Sequence, residues 1–593
     1  MAFYSSETVI LKDQFNFFPA VSVSCNVTLT EKYFSIEQIN NSKPESDKIS
    51  LNDVIGCHIL RGKCNKLRDN ASDISAYFCI YAYPLKTSGG ILSKQVRRER
   101  RALTFQTKRF ETQDENLQYV NKWRRAILSL LKGISCMENG EVCIPDTVPP
   151  VPKFLILINP KSGPGKAHQI FQERVVPLLF ESDVQYDLLV TDRANCARDY
   201  VKQEDLTQWN GIVVVSGDGL LFEVYNGLMA RSDWQEAVKI PVGVIPGGSG
   251  NGLARAISHT TGEPYDVTAV VPSVMNIIRG RIVPMDLVRV QTPNEFYFSF
   301  LSVGWGLMAD IDIESEKLRA IGEARFTVWG IIRALGLRKY KGRLSYLPVR
   351  DYDPKSQVRI FTEPKPKRSK TLDCTLTVSD NSAFTEEDGD HSIFRSKSFG
   401  ARDPDIIQDE DRAVRLLKYS FSNEKVNNSF SDMTDFQEQL LLDETPRDVP
   451  HCTVTSDVKC PQPAKSAPFC PPLSSPVPDD WVTINDEFVL VYVCHQTHLS
   501  SDVLFAPDAR PDDGIMWLIV IRADVSRAQV IYFLSSLQTG EHVNIPYVDY
   551  IPIHAFRLEP STSDGFLTVD GEVIPCCTIQ AEVLPSIARI MTR

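Results

Sequence analysis

Short apolar runs separated by polar turns occupy the first part of the chain. They predict strands, and they lie at residues 21–27, 54–60, 77–83 and 102–105. Behind them, apolar residues in 115–131 recur at helical spacing around Trp123, which predicts one closing helix. We therefore expect a small β-rich accessory domain over residues 1–150.

A proline-rich segment at residues 149–152 is followed by a different pattern. Buried-strand patterns now alternate with stretches that fit helices, and the strands lie at 154–158, 186–190, 211–215 and 242–245. This alternation predicts an α/β domain over residues 151–282, with a parallel sheet covered by helices. Such sheets bind ligands at the carboxyl ends of their strands.

From about residue 283 the chain becomes rich in strands again, apart from a helical stretch at 315–339. Residues 353–480 are rich in Ser, Asp, Glu, Pro and Lys. We expect this insertion to be mostly disordered, because it offers too little apolar surface to offset its ordering entropy. After the insertion, strand patterns resume at residues 488–494, 516–522, 551–558 and 565–569.

Composition and charge restrict the possible binding partners and the cellular compartment of the protein. The net charge of -11 gives no overall basic field for nucleic acid, so contact with an anionic membrane must use a local patch. The start of the sequence lacks the pattern of a signal peptide, and no apolar run approaches the ~20 residues of a membrane span. Fourteen scattered cysteines without metal spacing fit a reduced, cytoplasmic environment.

Three glycine-rich turns follow strands of the predicted α/β domain. The first is NPKSGPGK at residues 159–166, the second is SGDG at 216–219, and the third is PGGSGNG at 246–252. Bare backbone at the end of a strand, followed by the N–H groups of a helix N-terminus, is suited to binding phosphate. The first turn lacks the Walker spacing and would be weak evidence alone.

Asp218 stands between the two glycines of the second turn. It fits a general base or an anchor for a metal-bound phosphate, and a turn with a polar tip is the plainer explanation. A disordered linker is the plainer explanation of the third turn, but the strand before it and the helix after it argue against this.

Together the three turns resemble the catalytic domain of the diacylglycerol kinase superfamily, whose core sequences are S-G-D-G and P-G-G-S-G-N. Within it, residues 302–349, the segment SGDGLLFEVYNGLM and residues 568–572 are similar to sphingosine kinases. The resemblance covers 151–352 and 481–593. It implies an ATP site between an α/β kinase lobe (151–282) and a β-sandwich lipid-binding lobe (283–352 and 481–593).

The resemblance also implies an activity and its residues. ATP, accompanied by Mg²⁺ without a dedicated protein metal site, is expected to phosphorylate the primary hydroxyl of a sphingoid base. Asp218 is the implied base, and the implied lipid contacts are Ser216, Gly217, Asp218, Gly219, Ser302 and Asp312. The implied ATP contacts are Asn159, Pro160, Lys161, Thr191, Asp192, Arg193, Ala194, Asn195, Glu223, Gly248, Ser249, Gly250, Arg319, Arg325, Asp570, Gly571 and Glu572.

Simple geometry constrains two of these assignments. Asp310 and Asp312 face the same way if their segment is extended, so spacing alone leaves either as the partner of the substrate ammonium, and a solvated acidic rim is an alternative. Arg319 and Arg325 do not share one face of a continuous helix, so they converge on one triphosphate only if the helix breaks near Gly322. Local ion pairs are their plainer role.

Several segments suggest partners besides ATP and lipid. Residues 325–343 are basic and apolar together, which is typical of a calmodulin target or of a membrane-surface helix. The basic stretch at 94–101 either faces anionic lipid or is a solvated loop. The N-terminal unit is similar to a pleckstrin-homology domain, and an ordinary α+β domain fits equally well. Candidate walls for the acyl chain, which core packing explains equally well, are Phe326, Val328, Trp329, Ile331, Ile332, Leu335 and Leu337.

Three other functions compete with this interpretation. A ceramide or diacylglycerol kinase would perform the same chemistry on a neutral lipid. An NAD kinase shares the G-D-G turn, but the apolar helix near Trp329 and the acidic rim argue against it. A catalytically dead lipid-binding or scaffold protein is expected to have lost one of Asp218, Gly248 and Ser249, which are all present. For the location of the protein, we expect a cytoplasmic kinase that is recruited peripherally to membranes.

Overall fold

The computed structural model describes residues 8–18, 23–39, 46–60, 74–88, 95–265, 269–321, 324–350 and 469–593. The insertion expected to be disordered lies outside the described residues as far as position 468, and so does the side chain of Arg319. In the part of the chain that is described, no helix is both long enough and apolar enough to cross a membrane.

The N-terminal unit is a β-sheet closed by one helix. Its elements are β1 (Val9–Phe18), β2 (Ser24–Thr30), β3 (Tyr33–Gln38), β4 (Ser46–Ser50), β5 (Val54–Leu60), β6 (Ala76–Ala82), β7 (Leu85–Ser88), β8 (Gln95–Arg98), β9 (Arg101–Thr107), α1 (Gln113–Leu131), β10 (Met137–Glu138) and β11 (Glu141–Val142). Seven strands form an antiparallel sheet in the order β4-β3-β2-β1-β9-β6-β5. Trp123 of α1 anchors the helix on this sheet, with its ring centroid 5.2 Å from that of Phe15.

The middle of the chain alternates strands and helices. Its elements are β12 (Lys153–Ile158), α2 (Ala167–Ile170), α3 (Val176–Glu181), β13 (Gln185–Val190), α4 (Cys196–Gln203), β14 (Gly211–Ser216), α5 (Asp218–Met229), α6 (Trp234–Ala237), β15 (Val242–Pro246), α7 (Gly252–Thr261) and α8 (Val270–Arg279). The strands pair in parallel in the order β13-β12-β14-β15. A π-helical turn, Phe171–Val175, joins α2 to α3, because Pro177 has no N–H to continue the α-helical ladder.

The last part of the chain is a β-sandwich with helices packed against one face. Its elements are β16 (Arg281–Gln291), β17 (Phe296–Ser299), β18 (Ser302–Gly306), α9 (Leu307–Ser315), α10 (Ala324–Leu335), β19 (Tyr340–Pro348), β20 (Val482–Cys494), β21 (His498–Ser500), β22 (Val503–Leu504), β23 (Met516–Arg522), α11 (Arg527–Ser536), β24 (Asp549–Pro560), β25 (Leu567–Val569), β26 (Glu572–Ile574) and β27 (Ile579–Thr592). Strand β27 pairs with β16 along its length and with β15 at one position, which connects this lobe to the parallel sheet.

Ion pairs join the N-terminal unit to the α/β lobe, and the pair made by Arg98 is buried. Arg98 makes a 2.6 Å ion pair with Glu263 and a 2.9 Å ion pair with Asp53. Arg100 pairs with Glu181 at 2.6 Å. Arg98 therefore neither faces lipid nor lies in a solvated loop, because it is buried between carboxylates of the protein itself. Arg100 is paired but half-exposed, so a lipid contact there stays a prediction.

Candidate active site

The three glycine turns meet at one edge of the parallel sheet, because β12, β14 and β15 are neighbours that run in the same direction. The Ser162 hydroxyl accepts a 2.9 Å hydrogen bond from the Gly217 N–H, which joins the first turn to the second. A Cβ added to Gly248 would lie 2.3 Å from the Gly217 Cα, so the second and third turns touch through bare backbone. Asn251 closes the third turn through hydrogen bonds of 2.9 and 2.8 Å to the Gly248 N–H and C=O.

Asp218 is the first residue of α5, and its carboxylate faces the third turn. Oδ2 accepts a 2.7 Å hydrogen bond from the Gly252 N–H, and Oδ1 accepts a longer one, 3.4 Å, from Leu253. Burial raises the pKa of Asp218 to about 6, although the two backbone N–H groups favour the charged form. A carboxylate with this pKa is ionised at neutral pH and is still basic enough to accept a proton in a transition state.

A cleft of about 1010 Å³ opens beside these turns, between the α/β lobe and the sandwich. Most residues that the sequence analysis selected line it, namely Asn159, Lys161, Thr191, Asp192, Arg193, Ala194, Ser216, Gly217, Asp218, Gly219, Glu223, Ser249, Gly250, Ser302, Asp312, Arg325, Asp570, Gly571 and Glu572. Pro160, Asn195 and Gly248 are next to lining residues but do not line the cleft themselves. Its volume is in the range of small-molecule sites.

Glu223 holds the turn that precedes α4. Its two carboxylate oxygens accept hydrogen bonds from the Asn195 N–H at 3.0 Å and from the Ala197 N–H at 3.1 Å. Asn195 has a left-handed backbone with φ of 61°, so the turn is sharp and depends on this anchor. The contacts of Glu223 therefore position the backbone of 191–195 at the cleft.

The Asp570 carboxylate is buried, and groups of the protein occupy it. It accepts hydrogen bonds from the Ser299 hydroxyl at 2.5 Å and from three backbone N–H groups of residues 300–302 at 2.9–3.0 Å. Three of these donors bind Oδ1, and the Phe300 N–H binds Oδ2. Asp570 therefore orders the 299–302 turn and, together with Gly571 and Glu572, lines the cleft. Its contact with ATP stays a prediction.

The two acidic residues of α9 face opposite ways, because their segment is a helix and not the extended strand on which they would align. Asp310 is buried against the sandwich and accepts hydrogen bonds from the Tyr340 hydroxyl and the Phe566 N–H. Asp312 lines the cleft. Burial raises the pKa of Asp312 to about 7, and Arg325 acts in the opposite direction. Of the pair, Asp312 is the one that can reach a ligand.

Arg325 is buried beside the third glycine turn. Its Nη2 lies 3.8 Å from Asp312 Oδ1 and donates to the Ser249 hydroxyl at 3.5 Å. Its Nη1 makes a 2.6 Å ion pair with Glu316. The guanidinium thus lies between the acidic residues and the turn that is expected to hold phosphate.

The helix expected over 315–339 is interrupted. A 3₁₀ segment runs over Glu316–Ile321, and α10 begins at Ala324, so no continuous helix carries both Arg319 and Arg325. This break is the condition under which the two arginines could converge. Because the Arg319 side chain lies outside the described residues, its convergence with Arg325 stays a prediction.

The other end of the cleft is apolar and has walls from two separate parts of the chain. One wall comes from α9 and α10, and the other comes from the segment around β21 and from α11: Met308, Ile311, Phe326, Ile331, Leu499, Val503, Ile531, Leu534 and Leu537. Two of the expected wall residues, Phe326 and Ile331, line it. Trp329 instead donates its ring N–H to Glu314. The second wall was missed, because its residues lie far along the chain and carry no local motif.

Comparisons with known proteins agree with this architecture. Residues 153–290 match the family model of the diacylglycerol kinase catalytic domain, and residues 478–592 match the YegS C-terminal NAD kinase beta sandwich-like domain. Human sphingosine kinase 2 is 33% identical over 620 residues, which cover 99% of this chain and 92% of that protein. Mouse sphingosine kinase 1 is 32% identical over 73% of this chain and 89% of its own, and the Caenorhabditis elegans sphingosine kinase 1 is 31% identical over 72% and 78%.

Proposed function

The chain belongs to the sphingosine kinase family, and we propose that it carries out its reaction in the cleft described above, with Asp218 as the general base. It is an ATP-dependent lipid kinase that acts on sphingosine. The observation that supports the site is the convergence of three bare-backbone turns around one partly buried carboxylate. ATP occupies the glycine-lined end, and the lipid occupies the apolar end.

In the proposed mechanism, the lipid hydroxyl attacks the γ-phosphorus of ATP in line with the leaving ADP oxygen. Asp218 accepts the hydroxyl proton as the new O–P bond forms and the bond to the β-phosphate oxygen breaks. The N–H groups of the glycine turns and the Arg325 guanidinium stabilise the charge on the transferred group. The products are ADP and a lipid phosphate, with no covalent intermediate on the protein.

The nucleotide contacts are proposed for the backbone and side chains that line the polar end of the cleft. They are Asn159, Lys161, Thr191, Asp192, Arg193, Ala194, Ser249, Gly250, Arg325, Gly571 and Glu572. Glu223 and Asp570 also line this end of the cleft, and Pro160, Asn195 and Gly248 lie next to lining residues.

Mg²⁺ is proposed to enter with the ATP phosphates. Among the described residues, no three His, Cys, Asp or Glu side chains converge as a metal site. Glu572 lies at the second turn, where a Cβ on Gly219 would stand 2.7 Å from its Oε1. One carboxylate with phosphate oxygens is a usual ligand set for Mg²⁺, which would neutralise phosphate charge when bound.

Asp312 is proposed to bind the ammonium of the sphingoid base. A carboxylate and an ammonium form a charge-assisted hydrogen bond, and the neutral lipids diacylglycerol and ceramide offer no such cation. Glu316, Asp218 and Glu572 act electrostatically on Asp312, with Arg325 as the one opposing cation, and this excess of acid favours a cationic ligand.

A radiolabelled-ATP assay on sphingosine, ceramide and diacylglycerol tests the proposed site. We expect phosphorylation of sphingosine and little of the neutral lipids. Asp312→Ala should lower kcat/KM for sphingosine about 10-fold or more, as expected for a lost charged hydrogen bond, and should leave any residual activity on neutral lipids unchanged. Equal loss on all three lipids would contradict the assignment of Asp312.

Membrane recruitment of a cytoplasmic enzyme is proposed through apolar side chains that α10 and α11 expose, two of which, Ile331 and Ile531, also line the apolar end of the cleft. Six apolar side chains there are 42–58% exposed: Val328, Ile331, Ile332, Leu335, Ile531 and Tyr532. Calmodulin is the second candidate partner, and it is less favoured because it would grip one helix whereas this patch spans two. Ile332→Asp should reduce sedimentation with anionic vesicles, and a calmodulin pull-down with and without Ca²⁺ tests the alternative.

A pleckstrin-homology-like fold is proposed for the N-terminal unit, and the boundaries 1–150, 151–282, 283–352 and 481–593 are proposed for the domains. The strand order β4-β3-β2-β1-β9-β6-β5 and the closing helix α1 support this. An experimental structure in which α1 packs away from this sheet would contradict it.

A further inference from the structure

Two buried hydroxyl groups lie at the floor of the cleft, on neighbouring strands of the sandwich. The Ser302 Oγ and the Tyr492 hydroxyl are 3.2 Å apart, and the two residues are 2% and 5% exposed. Both residues line the cleft. Ser302 begins β18, directly after the turn that Asp570 orders, and Tyr492 lies on β20.

The Tyr492 ring is held rigidly. It lies opposite Gly304 in the strand pairing, and a Cβ on Gly304 would stand 2.0 Å from the ring, so glycine is what makes room for it. The ring also meets Phe505 edge-on, with centroids 5.1 Å apart. Since the ring cannot swing aside, its hydroxyl is fixed beside Ser302.

This pair has hydrogen-bonding capacity to spare. Two hydroxyls that bond to each other use one of their two hydrogens, and the other hydrogen and several lone pairs remain. Burial raises the pKa of Tyr492 far above its ordinary value, so the phenol keeps its proton and stays a donor. A hydrocarbon chain packed on the pair would leave this capacity unsatisfied at a free-energy cost.

The pair also lies near groups that already have proposed roles. Asp312 is close enough to act electrostatically on Tyr492. In the proposed function, Asp218 receives the proton of the reacting alcohol, and Asp312 binds the ammonium on the next carbon. A sphingoid base carries one more polar group, a second hydroxyl on the third carbon of the chain.

We propose that Tyr492, together with Ser302, binds this second hydroxyl, so that the site selects a 2-amino-1,3-diol over a simple 2-amino alcohol. The inference rests on the proposed function, because it assumes that the lipid lies in this cleft. A site that is built to hydrogen-bond a substrate hydroxyl discriminates against the analogue that lacks it, because its buried polar groups are then left unpaired.

Tyr492→Phe tests the proposal, because it keeps the ring over Gly304 and removes only the hydroxyl. The substrates are sphinganine and 2-aminooctadecan-1-ol, which lacks the second hydroxyl. We expect the wild type to prefer sphinganine in kcat/KM, and we expect the variant to lose roughly three- to tenfold on sphinganine while its kcat/KM on the deoxy analogue stays within twofold of the wild type. Tyr346→Phe, a buried tyrosine of the sandwich core outside the cleft, is the matched control and should change neither.

Equal losses on both substrates, or no loss on either, would overturn the role of Tyr492 while leaving the kinase reaction intact. If the wild type phosphorylates neither substrate, the proposed function fails and the inference fails with it. Thermal melting of each variant shows whether a loss on both substrates comes from misfolding, and Ser302→Ala then provides a second test of the selective loss on sphinganine.

Discussion

Replacing Gly248 by alanine perturbs the contact on which the active site depends. The new Cβ would lie 2.3 Å from the Gly217 Cα, 2.7 Å from the Gly217 N and 3.1 Å from the Ser162 Oγ. Two of these neighbours are backbone, and carbon atoms in contact normally stand ~3.5–4.0 Å apart. The second and third turns must therefore separate by about 1 Å. A displacement of about 1 Å at a catalytic site costs about 10²-fold in rate, and overpacking adds about 1–3 kcal/mol of destabilisation.

Gly247→Ala is the matched control for this substitution. Its Cβ would lie 3.3 Å from the Ala167 Cβ and 3.4 Å from the Ser216 N, which small shifts can accommodate. The assay measures kcat/KM for ATP at saturating sphingosine, nucleotide affinity by titration calorimetry, and the melting temperature. We expect Gly248→Ala to lose about 10²-fold in kcat/KM and Gly247→Ala to stay within a few-fold of the wild type. Equal behaviour of the two variants would refute the proposed contact between the turns.

Three further outcomes follow from the charges. The ionised form of Asp218 is the base, and burial raises its pKa to about 6. We therefore expect kcat at saturating substrate to fall about tenfold per pH unit below pH 6. A kcat that stays constant down to pH 5 would indicate that the pKa of this carboxyl is not raised. Asp570→Asn places an amide donor against the N–H groups of residues 300–302. It should lower the free energy of unfolding, measured by urea titration, by about 1–3 kcal/mol. Unchanged stability would show that the turn does not need the charge. Arg98→Ala removes the more deeply buried of the two arginines that pair with Glu263, while Arg593 remains. It should cost about 1–3 kcal/mol, and a change below that range would mean that the interface does not depend on this pair.

The glycine turns were accessible to sequence analysis because their signal is local. Each combines a buried strand, two or more glycines and a following helix, and parallel pairing brings the strand ends to one edge. Asp218 was identified for the same reason, since its role depends on the turn that contains it.

Other features depend on the conformation of the segment itself or on contacts with distant parts of the chain. Spacing could not choose between Asp310 and Asp312, because the choice depends on whether their segment is helical or extended. The inward orientation of Asp570 follows from the 299–302 turn, which lies about 270 residues earlier in the chain. The neutralisation of Arg98 by Glu263, 165 residues away, was invisible for the same reason.

The central claim is that Asp218 accepts the proton of the lipid alcohol beside a nucleotide held by glycine turns. Its most direct test is the single-turnover rate of Asp218→Asn at saturating ATP and sphingosine, with ATP affinity measured on the same preparation. We expect the rate to fall by at least ~10²-fold and the ATP affinity to stay near that of the wild type. A rate within threefold of the wild type would show that another group, or none, takes the proton.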